Sequence, residues 1–344
     1  MRHEPVNIAL VGCGAIAELG HAPALSALTS EARVTSVVDT AAHRRNLLGD
    51  RFGVPAARRH RDVDALVAAD DPVDLAVLVL PPRATPYALS TLLDSGTRVL
   101  AEKPMTTDAV EAALIAGRTP RDQLGVVHNY LHRSDVRDAL ARLREGHAGR
   151  VRFLRLEQPD SGHFPGAGDS PDWRRSDVAA GCLIDNAYHW VYVATELAAA
   201  PVARVTARTA RLEPGAAVDL ALVLLEHTNG VVSSVQTSWC APSAAPVLEV
   251  HTTRGTLRLD GDCGPCTALP PTAFVSTTAG QTVAEPSYTA FYREVLAALR
   301  AGRAFAASAD DCATVLRVLA AADTAAATGA SVPVDDPVAS RQAP

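Results

Sequence analysis

The 344-residue sequence predicts an α/β protein in two domains: a doubly wound N-terminal domain, residues 1–128, and a C-terminal α+β domain, residues 129–344, built on a large open, mostly antiparallel sheet. Three observations carry this. The first ~125 residues alternate apolar runs with amphipathic stretches, the pattern of βαβ units on a parallel sheet. Gly12-Cys13-Gly14-Ala15-Ile16-Ala17 follows the first apolar run and opens the first amphipathic one. Past residue 200 the chain turns to strands of alternating polarity joined by short turns such as Thr228-Asn229-Gly230, which reads as hairpins with one face buried.

Taken in order, Val6–Gly12 is a continuous apolar strand and Ala15–Leu28 a helix; Arg33–Asp39 is the second strand and Ala42–Phe52 the second helix. A short third strand is expected at Ala56–Arg58 and a short helix at Val63–Ala69. Leu75–Leu80 is a buried strand that Pro81-Pro82 must end, because proline cannot continue the ladder. Thr85–Asp94 is a helix closed by Gly96, Thr97–Ala101 a strand, Thr107–Ala116 a helix, and Gly125–His128 starts another strand. Asp135–Glu145 then reads as helix, Val151–Glu157 as strand, Gln158–Ser176 as a polar loop and Val178–Leu197 as a long helix. Strands follow at Arg204–Leu212, Asp219–His227, Gly230–Trp239, Val247–Thr253 and Gly255–Asp260, then helices at Tyr288–Ala301 and Ala309–Ala327.

A formal net charge of −6 without a basic cluster argues against nucleic acid and against a membrane surface. No run approaches the ~18–20 apolar residues a spanning helix needs. The N-terminus leads directly into a strand, so no signal peptide is expected and the protein reads as cytoplasmic. Six scattered cysteines make neither a disulfide framework nor a paired zinc pattern. Cys263-Gly264-Pro265-Cys266 lies in a Gly/Pro-rich loop with no second pair nearby, so no metal site is expected.

The G-x-G-x-x-A motif sits in the strand–turn–helix setting of a dinucleotide-binding, or Rossmann, domain. Gly12 permits the turn; Gly14 lets the backbone approach a pyrophosphate at the helix N-terminus formed by Ala15 and Ile16; Ala17 lets the helix pack on the sheet. Asp39 ends the second strand, 22 residues past Ala17, where a carboxylate bonds the adenosine ribose hydroxyls and favours NAD over NADP. Arg44 and Arg45 follow closely and leave NADP open. Strand ends place Pro81, Glu102 and Lys103 around the same crevice as the glycine turn. Lys103, in Glu102-Lys103-Pro104, is the only lysine of the chain, and a lysine, unlike arginine, can lose its proton near neutral pH. Asp185 and His189, at i and i+4, share a helix face, with His189 suited to take an alcohol proton. Trp173 and Arg174, in the loop ahead of that helix, are placed to cover a substrate and pair with its oxygens.

These motifs, with His21-Ala22-Pro23-Ala24-Leu25, Val99-Leu100-Ala101-Glu102-Lys103-Pro104, Asp172-Trp173-Arg174 and Asp185-Asn186-Ala187-Tyr188-His189, resemble the family of glucose–fructose oxidoreductase, inositol dehydrogenase and rhizopine-catabolism proteins (Gfo/Idh/MocA) over most of the chain. The resemblance implies a Rossmann domain followed by an open-sheet α/β domain, NAD(P)-dependent chemistry on sugars or cyclitols, and assembly into a homodimer or homotetramer through the open sheet face. It implies that Lys103, Asp185 and His189 are catalytic, and that Tyr130 joins Trp173 and Arg174 around a small-molecule substrate. The chain departs from the family pattern at Pro81-Pro82-Arg83-Ala84-Thr85, which holds no histidine, at Tyr130-Leu131-His132-Arg133, where many members carry an Arg-aromatic pair, and at Gly181-Cys182, where many carry Gly-Gly. Three readings follow: hydride transfer between NAD(H) and a secondary alcohol or ketone, a redox-neutral epimerase- or glycosidase-like enzyme that recycles a bound cofactor, and a non-catalytic dinucleotide sensor.

Overall fold

The computed structural model describes residues 4–159, 181–214, 217–241, 246–259, 267–269 and 285–334. These fall into two compact units. The first runs through Val127 and takes back Tyr288–Ala313; the second begins at His128 and resumes at Thr314. The return of Tyr288–Ala313 to the first unit is a feature the sequence pattern did not indicate.

The first unit is a parallel sheet of six strands: β1 (Val6–Val11), β2 (Ala32–Val38), β3 (Arg59–His60), β4 (Leu75–Leu78), β5 (Arg98–Ala101) and β6 (Leu124–Val126), in the order β3-β2-β1-β4-β5-β6. The order reverses between β1 and β4, the switch point at which ligands bind in such sheets. A π-helical turn at Ala17–His21 leads into α1 (Ala22–Ala27). Helices α2 (Ala42–Phe52) and α4 (Thr85–Asp94) match the sequence reading to the residue, and α3 (Val63–Ala68) falls one short. Helix α5 (Ala109–Arg118) starts two residues later than expected, because the Asp108 carboxylate caps it by accepting the Val110 and Glu111 N–H groups at 2.7 and 3.1 Å. The third strand is also displaced: Ala56–Arg58 is a 3₁₀ turn, and pairing begins only at Arg59. Ile8, Leu10, Val37, Val77 and Leu100 from the sheet pack with Tyr292, Val295 and Leu296 into one core.

The second unit holds α6 (Ser134–Arg144), β7 (Val151–Pro159), α7 (Cys182–Asp185), α8 (Ala187–Ala198), and β8 (Val202–Ala210), β9 (Leu220–His227), β10 (Val232–Ser238), β11 (Val247–Thr252), β12 (Gly255–Arg258) and β13 (Thr267–Leu269). After α9 (Ser287–Arg300) and α10 (Ala309–Thr328), β14 (Val332–Pro333) completes an eight-stranded sheet in the order β13-β12-β11-β7-β10-β9-β8-β14. All described neighbours pair antiparallel except β7 with β10, which are parallel. Gln158 and Pro159, expected in a loop, extend β7. β13 and β14, of three and two residues, were too short to be read from pattern. The long helix expected at Val178–Leu197 is two helices. Gly181 has φ +97° and cannot be helical; a side chain there would meet the Val218 carbonyl oxygen at 2.5 Å. Helix α7 therefore starts at Cys182, and Asn186 separates it from α8. Alternation along β9 buries Ala221, Val223, Leu225 and His227 and leaves Leu222 and Leu224 exposed at 42% and 46%.

Candidate active site

At the end of β1 the two glycines play different parts. Gly12 has φ +97°, and a side chain there would lie 2.1 Å from the Val79 carbonyl oxygen, so only glycine fits. Around Gly14 the nearest atom a side chain would meet is Arg44 Nη1, at 3.7 Å, so the loop is open to close approach of a ligand, with a guanidinium beside it. The Asp39 carboxylate ties this loop to the end of β2: Oδ2 accepts the Cys13 N–H at 2.8 Å and Oδ1 the Ala41 N–H at 2.7 Å. Arg45 donates to the Asp39 backbone carbonyl. Burial, reinforced by the Asp39 charge, pushes the Cys13 thiol up to about 12, so it is no nucleophile. Ala15 and Ile16 are half-buried at the start of the helix, Ala17 is fully buried, and Pro81 is exposed where β4 ends. An open cradle at a helix N-terminus, flanked by a carboxylate at the second strand end, fits an NAD molecule.

Lys103 follows β5 and is half-buried, preceding a cis peptide to Pro104. Glu102 beside it is buried, with its carboxylate fully engaged. Oε1 accepts from His21 Nε2 at 3.0 Å and from the Tyr288 hydroxyl at 2.7 Å, and Oε2 accepts the Lys103 N–H at 3.0 Å. His21 Nδ1 lies 2.6 Å from the Tyr292 hydroxyl. Burial alone would raise the Glu102 carboxyl. The His21 hydrogen bond, attraction to His21 and Lys103, and the Tyr288 bond outweigh it and hold the group below its ordinary value. Tyr292 is driven the other way by burial and then by the Glu102 charge, well above an ordinary phenol.

In the second unit Asp185 closes α7 and His189 stands in the first turn of α8; both are buried. The His189 ring stacks on Tyr130, centroids 4.0 Å apart at 14°, and its Nδ1 is 2.8 Å from the Tyr192 hydroxyl. That hydroxyl also accepts the Tyr130 N–H at 3.1 Å. Tyr192 in turn stacks on His128 at 4.2 Å, and His128 Nε2 lies 2.9 Å from the Tyr188 hydroxyl. Trp239 Nε1 donates to Asn186 Oδ1 at 2.7 Å and so pins the break between α7 and α8. The Arg133 guanidinium, bonded to Asp135, lies 5.3 Å from the Tyr130 ring centre and 5.2 Å from that of Trp190.

Sequence reasoning missed Tyr192, which spacing could have found at i+3 from His189, and the partnership of His21, Tyr288 and Tyr292 with Glu102, which no local spacing reveals. The buried Asn129 Oδ1 has no hydrogen-bond partner among the described residues. Trp173, Arg174, Cys263 and Cys266 lie outside the described residues. No described helix is long and apolar enough to cross a membrane.

Two family profiles match this chain: an oxidoreductase family with an NAD-binding Rossmann fold, over residues 6–128, and the GFO/IDH/MocA C-terminal domain, over residues 136–258. The chain belongs to the Gfo/Idh/MocA family. The family is one of oxidoreductases with an NAD-binding Rossmann fold, and here that domain is joined to a second, mostly antiparallel sheet domain. As a Gfo/Idh/MocA protein it is similar to a D-xylose 1-dehydrogenase (NADP(+)) of Haloferax volcanii, 26% identical over 336 residues that cover 95% of this chain and 99% of the relative. It is 29% identical to a dTDP-3,4-didehydro-2,6-dideoxy-alpha-D-glucose 3-reductase of Actinomadura kijaniata over 185 residues, 53% of this chain and 52% of the relative, so that match spans about half the relative's length. The structure is similar to that of GenD2 from gentamicin A biosynthesis in complex with NAD, with a TM-score of 0.79 at 26% identity over 98% of each chain. Relatives named as dehydrogenases and reductases support hydride transfer over the redox-neutral and sensor readings.

Proposed function

We propose that this Gfo/Idh/MocA protein transfers a hydride between NAD(H) and a secondary alcohol or ketone of a sugar, cyclitol or similar polyhydroxylated small molecule. The observation that carries the reading is that the only lysine, Lys103, leaves the C-terminal edge of the parallel sheet that also carries the open Gly12–Gly14 loop: the loop follows β1 at the switch point, and Lys103 follows β5, the neighbour of β4. Bound NAD supplies the hydride acceptor. Lys103 donates a hydrogen bond to the reacting oxygen, and His189 exchanges the proton with it. Tyr192 holds His189 through Nδ1 and so fixes the orientation of the ring. Asp185 orients the substrate hydroxyls, and Trp173, Arg174 and Tyr130 complete substrate recognition. Asp39, held by two backbone N–H groups at the ribose position, favours NAD over NADP. The exposed Leu222 and Leu224 fit a homodimer or homotetramer joined through the open sheet face, and a cytoplasmic location accords with use of NAD.

The test is a screen of pentoses, hexoses, cyclitols and nucleotide sugars with NAD and NADP, followed by nicotinamide absorbance. At least one polyol is expected to drive net NAD reduction, with weaker NADP use. Turnover without net change in NAD would favour the redox-neutral reading. In the same preparation light scattering should give at least twice the 36.0 kDa chain mass.

A further inference from the structure

We propose that Glu102 is a positioning residue for Lys103: a buried carboxylate, locked by His21 and Tyr288, that fixes the Lys103 backbone and supplies its counter-charge, tying the lysine to the helix that follows the glycine loop. The inference deepens the proposed function and rests on Lys103 acting in that reaction.

Both ends of Glu102 are fastened. Its N–H donates to the Leu78 carbonyl at 2.8 Å, and its carboxylate accepts from three donors. Those donors come from segments far apart in sequence: the π-helical turn, α9, and the Glu102-Lys103-Pro104 turn itself. The charged and titratable groups that face Glu102 are His21 from the π-helical turn, Tyr288 and Tyr292 from α9, and Lys103 from its own turn. An ionised carboxylate only accepts, so His21 carries its proton on Nε2 and both the Tyr288 hydroxyl and the Lys103 amide are donors. The π-helical turn contributes directly. It coincides with a fully buried His21, and its Gly20 lets the Tyr288 ring approach; a side chain at Gly20 would lie 3.0 Å from that ring.

Burying a carboxylate is unfavourable unless its charge is compensated. A purely structural link at this position needs no charge. The attraction between Glu102 and Lys103 is mutual, and little water lies around Glu102 to screen it. Any shift of the helix after the glycine loop moves His21, and through Glu102 moves the lysine.

Lys103 being the only lysine gives a direct readout. Reductive methylation with ¹³C-formaldehyde labels Lys103 and the α-amine alone, and NMR reads the dimethyl-lysine resonance at one fixed pH. Glu102→Gln should displace that resonance and lower kcat on the substrate found by the screen by about tenfold, with KM nearly unchanged. Tyr288→Phe removes one of the donors that hold the carboxylate and should displace the resonance less. Glu102→Asp keeps the charge but shortens the reach, and should lower kcat less than Glu102→Gln, with KM nearly unchanged. If Glu102→Gln does not fold, Tyr288→Phe decides alone. A resonance unmoved in every folded variant, with Lys103→Met inactive, overturns the inference. A moved resonance with Lys103→Met fully active overturns the catalytic reading of Lys103, and the positioning role with it.

Discussion

Lys103 in the first unit and His189 in the second are held by different kinds of contact. Lys103 rests on a buried carboxylate with three donors, each replaceable only by another donor. His189 rests on a stacked phenol ring and one hydroxyl, with further rings packed behind. A buried polar network fixes one geometry and is costly when any member is lost. An aromatic cluster positions through shape and area, and loses less when a single polar atom is removed. Loss of a donor from the Glu102 network should therefore show mainly as lost stability, and loss of a polar atom from the ring cluster around His189 mainly as lost turnover.

The largest expected stability effect is that of His21→Ala. It leaves Glu102 buried without its histidine and should cost about 3–5 kcal/mol in a denaturant titration, the usual cost of stripping a partner from a buried charge. The loss should depend on pH. The folded Glu102 carboxyl lies below its ordinary value of 4.5, so its stabilisation is present above that value and is lost as pH falls through the folded value. Acid unfolding of the parent should accordingly begin below about pH 4.5, and the gap between parent and variant should narrow there.

A smaller effect is expected of Tyr192→Phe. It keeps the ring stacked on His128 but removes the hydroxyl that bonds His189 Nδ1 and accepts the Tyr130 N–H. Stability should fall by about 1–2 kcal/mol, and kcat by about tenfold as the imidazole loses its fixed orientation. If Tyr192→Phe proved more destabilising than His21→Ala, the contrast between the two units would be reversed.

The sequence was most legible where the structure is locally determined. Helices α2 and α4 were read to the residue because breakers bound their periodic patterns, Gly53 after one and Gly96 after the other. The glycine loop, Asp39 and Lys103 could be picked out as candidates because strand ends and their turns are contiguous in sequence. What was not legible depends on distant partners. Tyr288 and Tyr292 meet Glu102 and His21 across 186 and 271 residues, and nothing local to α9 announces that it packs with the first unit. The break at Asn186 comes from Trp239 and from the close approach of Gly181 to Val218, both tertiary causes acting on a stretch with good helical pattern. Arg59-His60 was missed as a strand because two polar residues carry no periodic signal.

The claim that Lys103 and His189 share the proton chemistry of one hydride transfer is tested most directly by Lys103→Met, His189→Ala and their double variant, with kcat and NAD affinity measured on one substrate. Each single change should lower kcat by roughly 10²–10⁴, and the double variant should fall little further, since groups that act as a unit are not additive. NAD affinity should be unchanged in His189→Ala. Near-full turnover in His189→Ala would contradict the account and leave Lys103 as the only proton-handling group of the pair.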